Sequence, residues 1–161
     1  NIAPLKTRKM IYEGIFNSVL TYCMPVWGGL SKSEMEDLQV MQNKAVRATF
    51  KRPYRANRNE MYDTSGYLTV RQLIFYHTIL SIYKIKMTKE PEYLYERLSR
   101  TNIRNNIVID NTKMKLARNN FVIRGPENWN SLPPDIRKTQ KIKKFKTLAK
   151  TWILENVPRF I

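Results

Sequence analysis

Cysteine and histidine are almost absent: Cys23 and His77 are the only ones in 161 residues. A lone cysteine excludes an intramolecular disulfide. One cysteine and one histidine also fall short of the ligand set of a zinc site. Cys23 reads as a small buried hydrophobe, and His77 falls inside a helical pattern as a packing or surface residue. Acids are scarce too, 13 against 29 lysines and arginines. The four aspartates, Asp37, Asp63, Asp110 and Asp135, are scattered, whereas a two-metal polymerase or nuclease needs clustered carboxylates. Glu34, Glu36 and Asp37 are close together, but in the first turn of a helix, where the helix dipole accounts for acids. Glycine occurs five times. No glycine-spaced Gly-Lys-Ser/Thr loop that could cradle a phosphate is formed. No apolar run approaches the ~20 residues of a membrane span, and no secretory signal is visible. Nothing positive points to catalysis, so the expectation is a non-enzymatic protein without cofactor or metal. The chain starts at Asn1 rather than methionine and reads as a piece of something longer.

What is abundant is positive charge and core material. The net charge is +16 with a pI near 10.1, whereas a small domain needs a magnitude of only about 2–8 for solubility. Charge on this scale calls for a polyanion. Nucleic acid is the commonest and an anionic membrane face the second. Hydrophobic residues make up 42% of the chain, with six Phe, nine Tyr and three Trp, which suffices for a packed core and argues against general disorder.

Hydrophobic spacing predicts a mainly α protein. Residues 5–23 carry Ile11, Tyr12, Ile15, Phe16, Val19, Leu20 and Cys23 at helical spacing, which predicts one wide buried face; Gly14 would permit close approach of a neighbour. Ser33 with Glu36 forms a predicted capping box for a second helix whose inner face is Met35, Leu38, Met41, Ala45 and Val46. Thr69 with Gln72 caps a third helix, apolar on most sides and therefore expected at the centre. Pro91 opens a short fourth helix reaching about Leu98. Residues 99–124 are Asn-rich and basic and predict an extended, irregular crossover with a β-like run at Ile107–Ile109. In FVIRGPENWNSLPPDI, residues 121–136, Gly125-Pro126 predicts a turn and Pro126 or Glu127 the start of a short helical turn. Phe121, Ile123, Trp129, Leu132 and Ile136 are the apolar anchors of that corner, and Pro133-Pro134 aims a basic amphipathic helix over 139–157. The expected architecture is a helical bundle over 1–60, then a C-terminal helical domain over 61–161 with that short-β crossover and terminal helix.

Two stretches concentrate the cations. Lys44, Arg47, Lys51, Arg52, Arg55 and Arg58 surround Tyr54. Between Arg137 and Lys150 there are seven cations and no acid, among them Lys141, Lys143, Lys144 and Lys146. Lysine and arginine pair with phosphates without reading bases, so such patches bind nucleic acid in a sequence-tolerant, salt-sensitive way. A solvated helix face is the plain alternative for either stretch. Arg124 is a further candidate phosphate contact, with a hydrogen bond to loop carbonyls as its alternative. Tyr54 and Tyr62 could stack on bases or serve as core lids.

Several motifs in order carry a resemblance. The segment MIYEGIFNSVLTYCMPVWGG, with Tyr12, Ser18, Leu20, Tyr22, Trp27 and Gly28, is followed by LQVMQNKAVRATF, with Leu38, Gln39, Gln42, Asn43, Lys44, Ala45 and Arg47. LTVRQLIFYHTILSIYKI comes next. The last is the Arg-Gly-Pro, Trp-Asn-x-Leu-Pro and Phe-centred basic helix of residues 124–154. Together they resemble the C-terminal region of a non-LTR (LINE-type, jockey-like) retrotransposon reverse transcriptase, along most of the chain. The resemblance implies a thumb that grips a template–primer duplex, followed by a module that holds RNA or DNA. It also implies a catalytic palm upstream, since Tyr62-Asp63 is followed by Thr64 and no Tyr-x-Asp-Asp occurs. The expected setting is an intracellular ribonucleoprotein, nuclear or cytoplasmic. A retained fragment serving as a protein-interaction module for a host partner is the alternative, with Trp27, Tyr54 and Phe160 as its exposed contacts; a binder of acidic membranes is a third reading.

Overall fold

The computed structural model describes residues 3–22, 24–25, 29–109 and 120–160. Cys23, Trp27, Gly28, Asp110 and the middle of the expected crossover lie outside the described residues. The fold is mainly helical, as the hydrophobic spacing predicts. In chain order the helices are α1 (Leu5–Ile11), a π-helical segment (Tyr12–Asn17), α2 (Ser18–Thr21), α3 (Lys32–Phe50), α4 (Arg58–Ser65), α5 (Val70–Thr88), α6 (Glu92–Ser99), α7 (Phe121–Ser131), α8 (Pro134–Arg137) and α9 (Ile142–Asn156).

The central helix is α5, which packs against α3, α6, α7 and α9. Ten of its residues are buried, so its near-continuous apolar surface is covered from several sides. Its capping box is the expected one, Thr69 with Gln72. For α3 the box is Ser31 with Glu34, two residues ahead of the predicted Ser33–Glu36 pair. Both pairs satisfy the pattern, and the earlier one satisfies the orphan N–H groups of a helix that begins at Lys32. Its closure holds the Glu34 carboxyl below the usual range, first through the Ser31 hydroxyl.

The inner face of α3 is mixed: Met35, Leu38, Ala45 and Val46 pack on the core as the sequence predicts, but buried amides share that face. Met41 is half exposed, while Gln39, Gln42, Asn43, Val46 and Thr49 are buried. Gln39 Nε2 donates to Tyr62 Oη at 2.8 Å, to Asn43 Oδ1 at 3.0 Å and to Gln42 Oε1 at 3.1 Å. Gln42 Nε2 donates to the Leu68 carbonyl at 2.9 Å and to Tyr12 Oη at 3.3 Å. The Val70 N–H donates to Gln39 Oε1 at 3.0 Å. The network ties α3 to the π segment, α4 and the start of α5. Buried amides are tolerated because they are matched. Burial pushes the Tyr12 hydroxyl up to about 12 and raises Tyr62 in the same way.

The N-terminal rod departs from its expected burial. Tyr12 and Leu20 are buried, but Ile11, Ile15 and Val19 are exposed, the last at 70%. Gly14 faces open space instead of a close neighbour. The π turn, i→i+5 rather than i→i+4, lies between these two buried residues.

The segment 121–136 is also corrected. Gly125 and Pro126 make no turn; both are buried inside a continuous α7 that starts at Phe121, so the crossover does not extend to 124. Asn120 caps the helix through Val122 N–H, and proline's fixed φ fits a helix. The missing N–H costs one hydrogen bond, and the packing of Ile123, Gly125, Pro126 and Trp129 on the core offsets it. Gly125 lets α5 approach closely: an added Cβ would lie 3.1 Å from Ile82 Cδ1, whose tip would have to give by a few tenths of an ångström. Trp129, 5.9 Å from Phe145, and Tyr83, 4.2 Å from Phe145, form an aromatic stack joining α7, α9 and α5.

Ile107–Ile109 forms no strand. Among the described residues the only bridge is Thr101 with Ile107. Asn130 takes the place of a neighbouring strand: Ile107 N–H donates to Asn130 Oδ1 at 2.8 Å, and Asn130 Nδ2 donates to the Ile107 carbonyl at 2.9 Å.

Candidate nucleic-acid interface

The terminal helix α9 buries Phe145, Ala149 and Ile153 at i, i+4 and i+8, the spacing of one helix face. Lys143, Lys144, Lys146 and Lys150 are all exposed, and Lys141 is its N-cap. The first turn holds no acid, and no side chain caps it. Cations at a helix N-terminus oppose the positive end of the dipole, so this arrangement works against the helix that carries it. Lys146 also acts on α5: burial first, then Lys84 and Lys146, push the half-buried His77 imidazole below its ordinary value.

The first basic stretch is differently placed. Lys44 is exposed on α3, and Arg47 is half-buried in its last turn. Lys51 is the C-cap with φ of 50°; Arg52 and Arg55 are exposed in the loop to α4, and Arg58 opens α4. Cations at a helix C-terminus complement its dipole, so the fold itself accounts for part of this patch. Arg47 lies 5.6 Å from the ring of Tyr54, which is exposed; a guanidinium at that range gains cation–π attraction. Arg58 lies 5.1 Å from the Phe160 ring.

Phe160 is not the exposed contact that the sequence predicts. It is half-buried edge-on against Tyr62 at 5.9 Å, while Arg159 pairs with Asp63 and holds that carboxyl below the usual range. Tyr62 is a core residue and is not available for base stacking.

Arg124 is half-buried on α7. It lines a cavity of about 260 Å³ with Arg71, Phe75, Asn128 and Trp152. Burial, and then the nearby Arg71, hold its guanidinium below its ordinary value. The structure thus brings Arg124 to Arg71, not to either lysine-rich stretch. Those stretches stay on separate helices, α3 with its following loop and α9, which both pack against α5.

Two ion pairs stand out among the described residues, Lys32–Glu36 and Arg159–Asp63, and neither involves a sequence-predicted contact residue. No group of three or more metal-ligating side chains occurs among the described residues. No helix there is long and apolar enough to cross a membrane. Sequence reasoning missed that Arg137 and Lys138, from the start of the second basic stretch, meet Lys86 and Arg104 around a common hollow. These residues come from separate parts of the chain, and only the Asn-rich TNIRNN loop hinted at a built structure there. Compared with known proteins, the chain matches no family model, no curated protein and no solved structure.

Proposed function

We propose that this chain is a non-catalytic nucleic-acid-binding module that holds RNA or a template–primer duplex through phosphate contacts. The resemblance to the C-terminal region of non-LTR reverse transcriptases supports the reading and makes an upstream palm its natural neighbour. The observation that carries it is the N-terminal end of α9. Three lysines, Lys141, Lys143 and Lys144, crowd the positive pole of a 15-residue helix that has no acid in its first turn. A helix selected only for its own stability would place acids there, whereas a phosphate there would meet both the lysines and the free N–H groups. Lys44, Arg47, Lys51, Arg52, Arg55, Arg58 and Arg124 are weaker candidates, because helix polarity or burial accounts for several of them.

The test is a filter-binding titration against duplex and single-stranded RNA and DNA at several salt concentrations. Affinity should fall linearly in log–log form with salt. Exchanging Lys143 and Lys144 for Gln should lower the slope by about 2, one for each lysine that no longer meets a phosphate. No affinity at low salt, or affinity indifferent to salt, overturns the reading.

A second reading rests on the exposed row Ile11, Ile15 and Val19 on the N-terminal rod. Apolar side chains at i, i+4 and i+8 on one face match a helix that docks on a protein, such as an adjoining palm or a host factor. Recovery of a stoichiometric protein partner after nuclease treatment, abolished by Ile15→Asp, would favour it.

A further inference from the structure

We propose that the hollow ringed by Lys86, Arg104, Arg137 and Lys138 is a binding site for a phosphate oxyanion. The hollow has a volume of about 310 Å³, and Trp129 lines it beside the cations. Among the described residues four cations line it and no carboxylate does. Within the described residues none of the four is part of an ion pair.

The walls are held by other contacts. Asn102 Oδ1 accepts from Arg104 N–H at 3.0 Å and from Asn106 N–H at 3.1 Å. Asn105 stands in the left-handed region with φ of 58°. The Asn130 pairing with Ile107 ties this loop to α7. Arg137 Nη1 donates to the Asn105 carbonyl at 3.1 Å and to Asn106 Oδ1 at 3.0 Å, which fixes the guanidinium. Its Nε is buried with no partner. Lys86 Nζ reaches the Leu98 carbonyl at 3.4 Å and lies 6.0 Å from the Trp129 ring centroid. Neither neutral contact compensates a half-buried ammonium, and burial, then Arg137, lowers the Lys86 pKa.

Like charges gathered at a partly buried site repel, and an unpaired buried charge is costly. A tetrahedral oxyanion relieves both, accepting charge-assisted hydrogen bonds from the guanidinium and ammonium groups. A carboxylate ligand fits less well, because two oxygens cannot serve four cations on different walls. The site goes beyond the α9 surface: it is a concave pocket for one group, not a face along which a backbone runs. A phosphate within a polynucleotide and a free phosphate share this chemistry.

Isothermal titration of the full chain with sodium pyrophosphate at physiological ionic strength tests the site. We expect saturable binding that weakens by about tenfold or more in Arg104→Gln/Lys138→Gln, as charge-assisted hydrogen bonds are removed. Both residues are exposed, so circular dichroism should report an unchanged fold. Lys6→Gln/Lys84→Gln, which removes the same charge from exposed positions outside the hollow, should keep the wild-type affinity for pyrophosphate. A short oligonucleotide that displaces pyrophosphate assigns the phosphate to a polynucleotide; failure to displace it assigns the site to free phosphates, and either result keeps the site. Absence of saturable binding, or affinities that do not separate the two variants, overturns it. The α9 reading is tested apart, by the nucleic-acid affinity of Lys143→Gln/Lys144→Gln.

Discussion

Gln42 is the residue whose role is hardest to foresee and easiest to test. It is fully buried, and its amide serves Tyr12, Leu68 and Tyr62 at once. Gln42→Leu keeps the volume but leaves buried polar partners unmatched, at about 1–3 kcal/mol each; urea denaturation should show a loss within or above that range. Trp129→Ala should cost about 3–5 kcal/mol, the range for emptying a core aromatic site, and an unchanged melting temperature would contradict its place in the aromatic stack. Gly125→Ala sets a methyl 3.1 Å from Ile82 Cδ1, so the overpacking loss is read as the shortfall from the ~1 kcal/mol that alanine's helix propensity would add. Shortening the neighbour, Ile82→Val, should recover part of that loss in a double-mutant cycle. The sequence made Trp129 legible as an anchor because large aromatics between apolar neighbours are seldom surface residues. It hid Gln39, Gln42 and Asn43, because an amide looks like a surface residue until its partners, 19 or more positions away, are known.

At the scale of elements, legibility follows local physics. The central place of α5 was readable because its apolar residues run all round the helix. The continuity of α7 was not: Gly125-Pro126 is a turn signal on local grounds, and only contact with α5 outweighs it. The N-terminal rod departs in the opposite sense, since a wide apolar stripe predicts a buried face and Ile15 and Val19 are left uncovered. For α9 the lysines were legible, but their conflict with the helix dipole required the helix start. That conflict predicts opposite signs for two measurements. Lys143→Gln/Lys144→Gln should raise thermal stability by about 0.3–1 kcal/mol per charge removed while weakening nucleic-acid binding. A variant weakened on both counts would mean the lysines pack against the fold.

For the whole molecule, a net charge of +16 means that the folded chain repels itself. Added salt should therefore raise its melting temperature by screening while lowering its affinity for nucleic acid, and a melting temperature independent of salt would show that the repulsion is already relieved. His77 adds a pH dependence. Its folded pKa lies below the unfolded value of about 6.5, because burial and two lysines disfavour the imidazolium. Folding then releases the proton. The contribution is fully present above the unfolded value and is lost as pH falls through the folded one. His77→Gln should flatten the stability profile below about pH 6.5, before the carboxylates titrate.

The helices α3 and α5 supply a matched pair for experiment. Each has 19 residues, each opens with a capping box, and each ends on a lysine in the left-handed conformation, Lys51 with φ of 50° and Lys89 with φ of 61°. Glycine adopts that conformation freely, while any other residue forfeits about 1 kcal/mol there. Lys51→Gly and Lys89→Gly should thus stabilise the protein alike. Only Lys51 belongs to a candidate contact patch, so only its replacement should lower nucleic-acid affinity. The twin helix is an internal control for charge, backbone geometry and helix length at once.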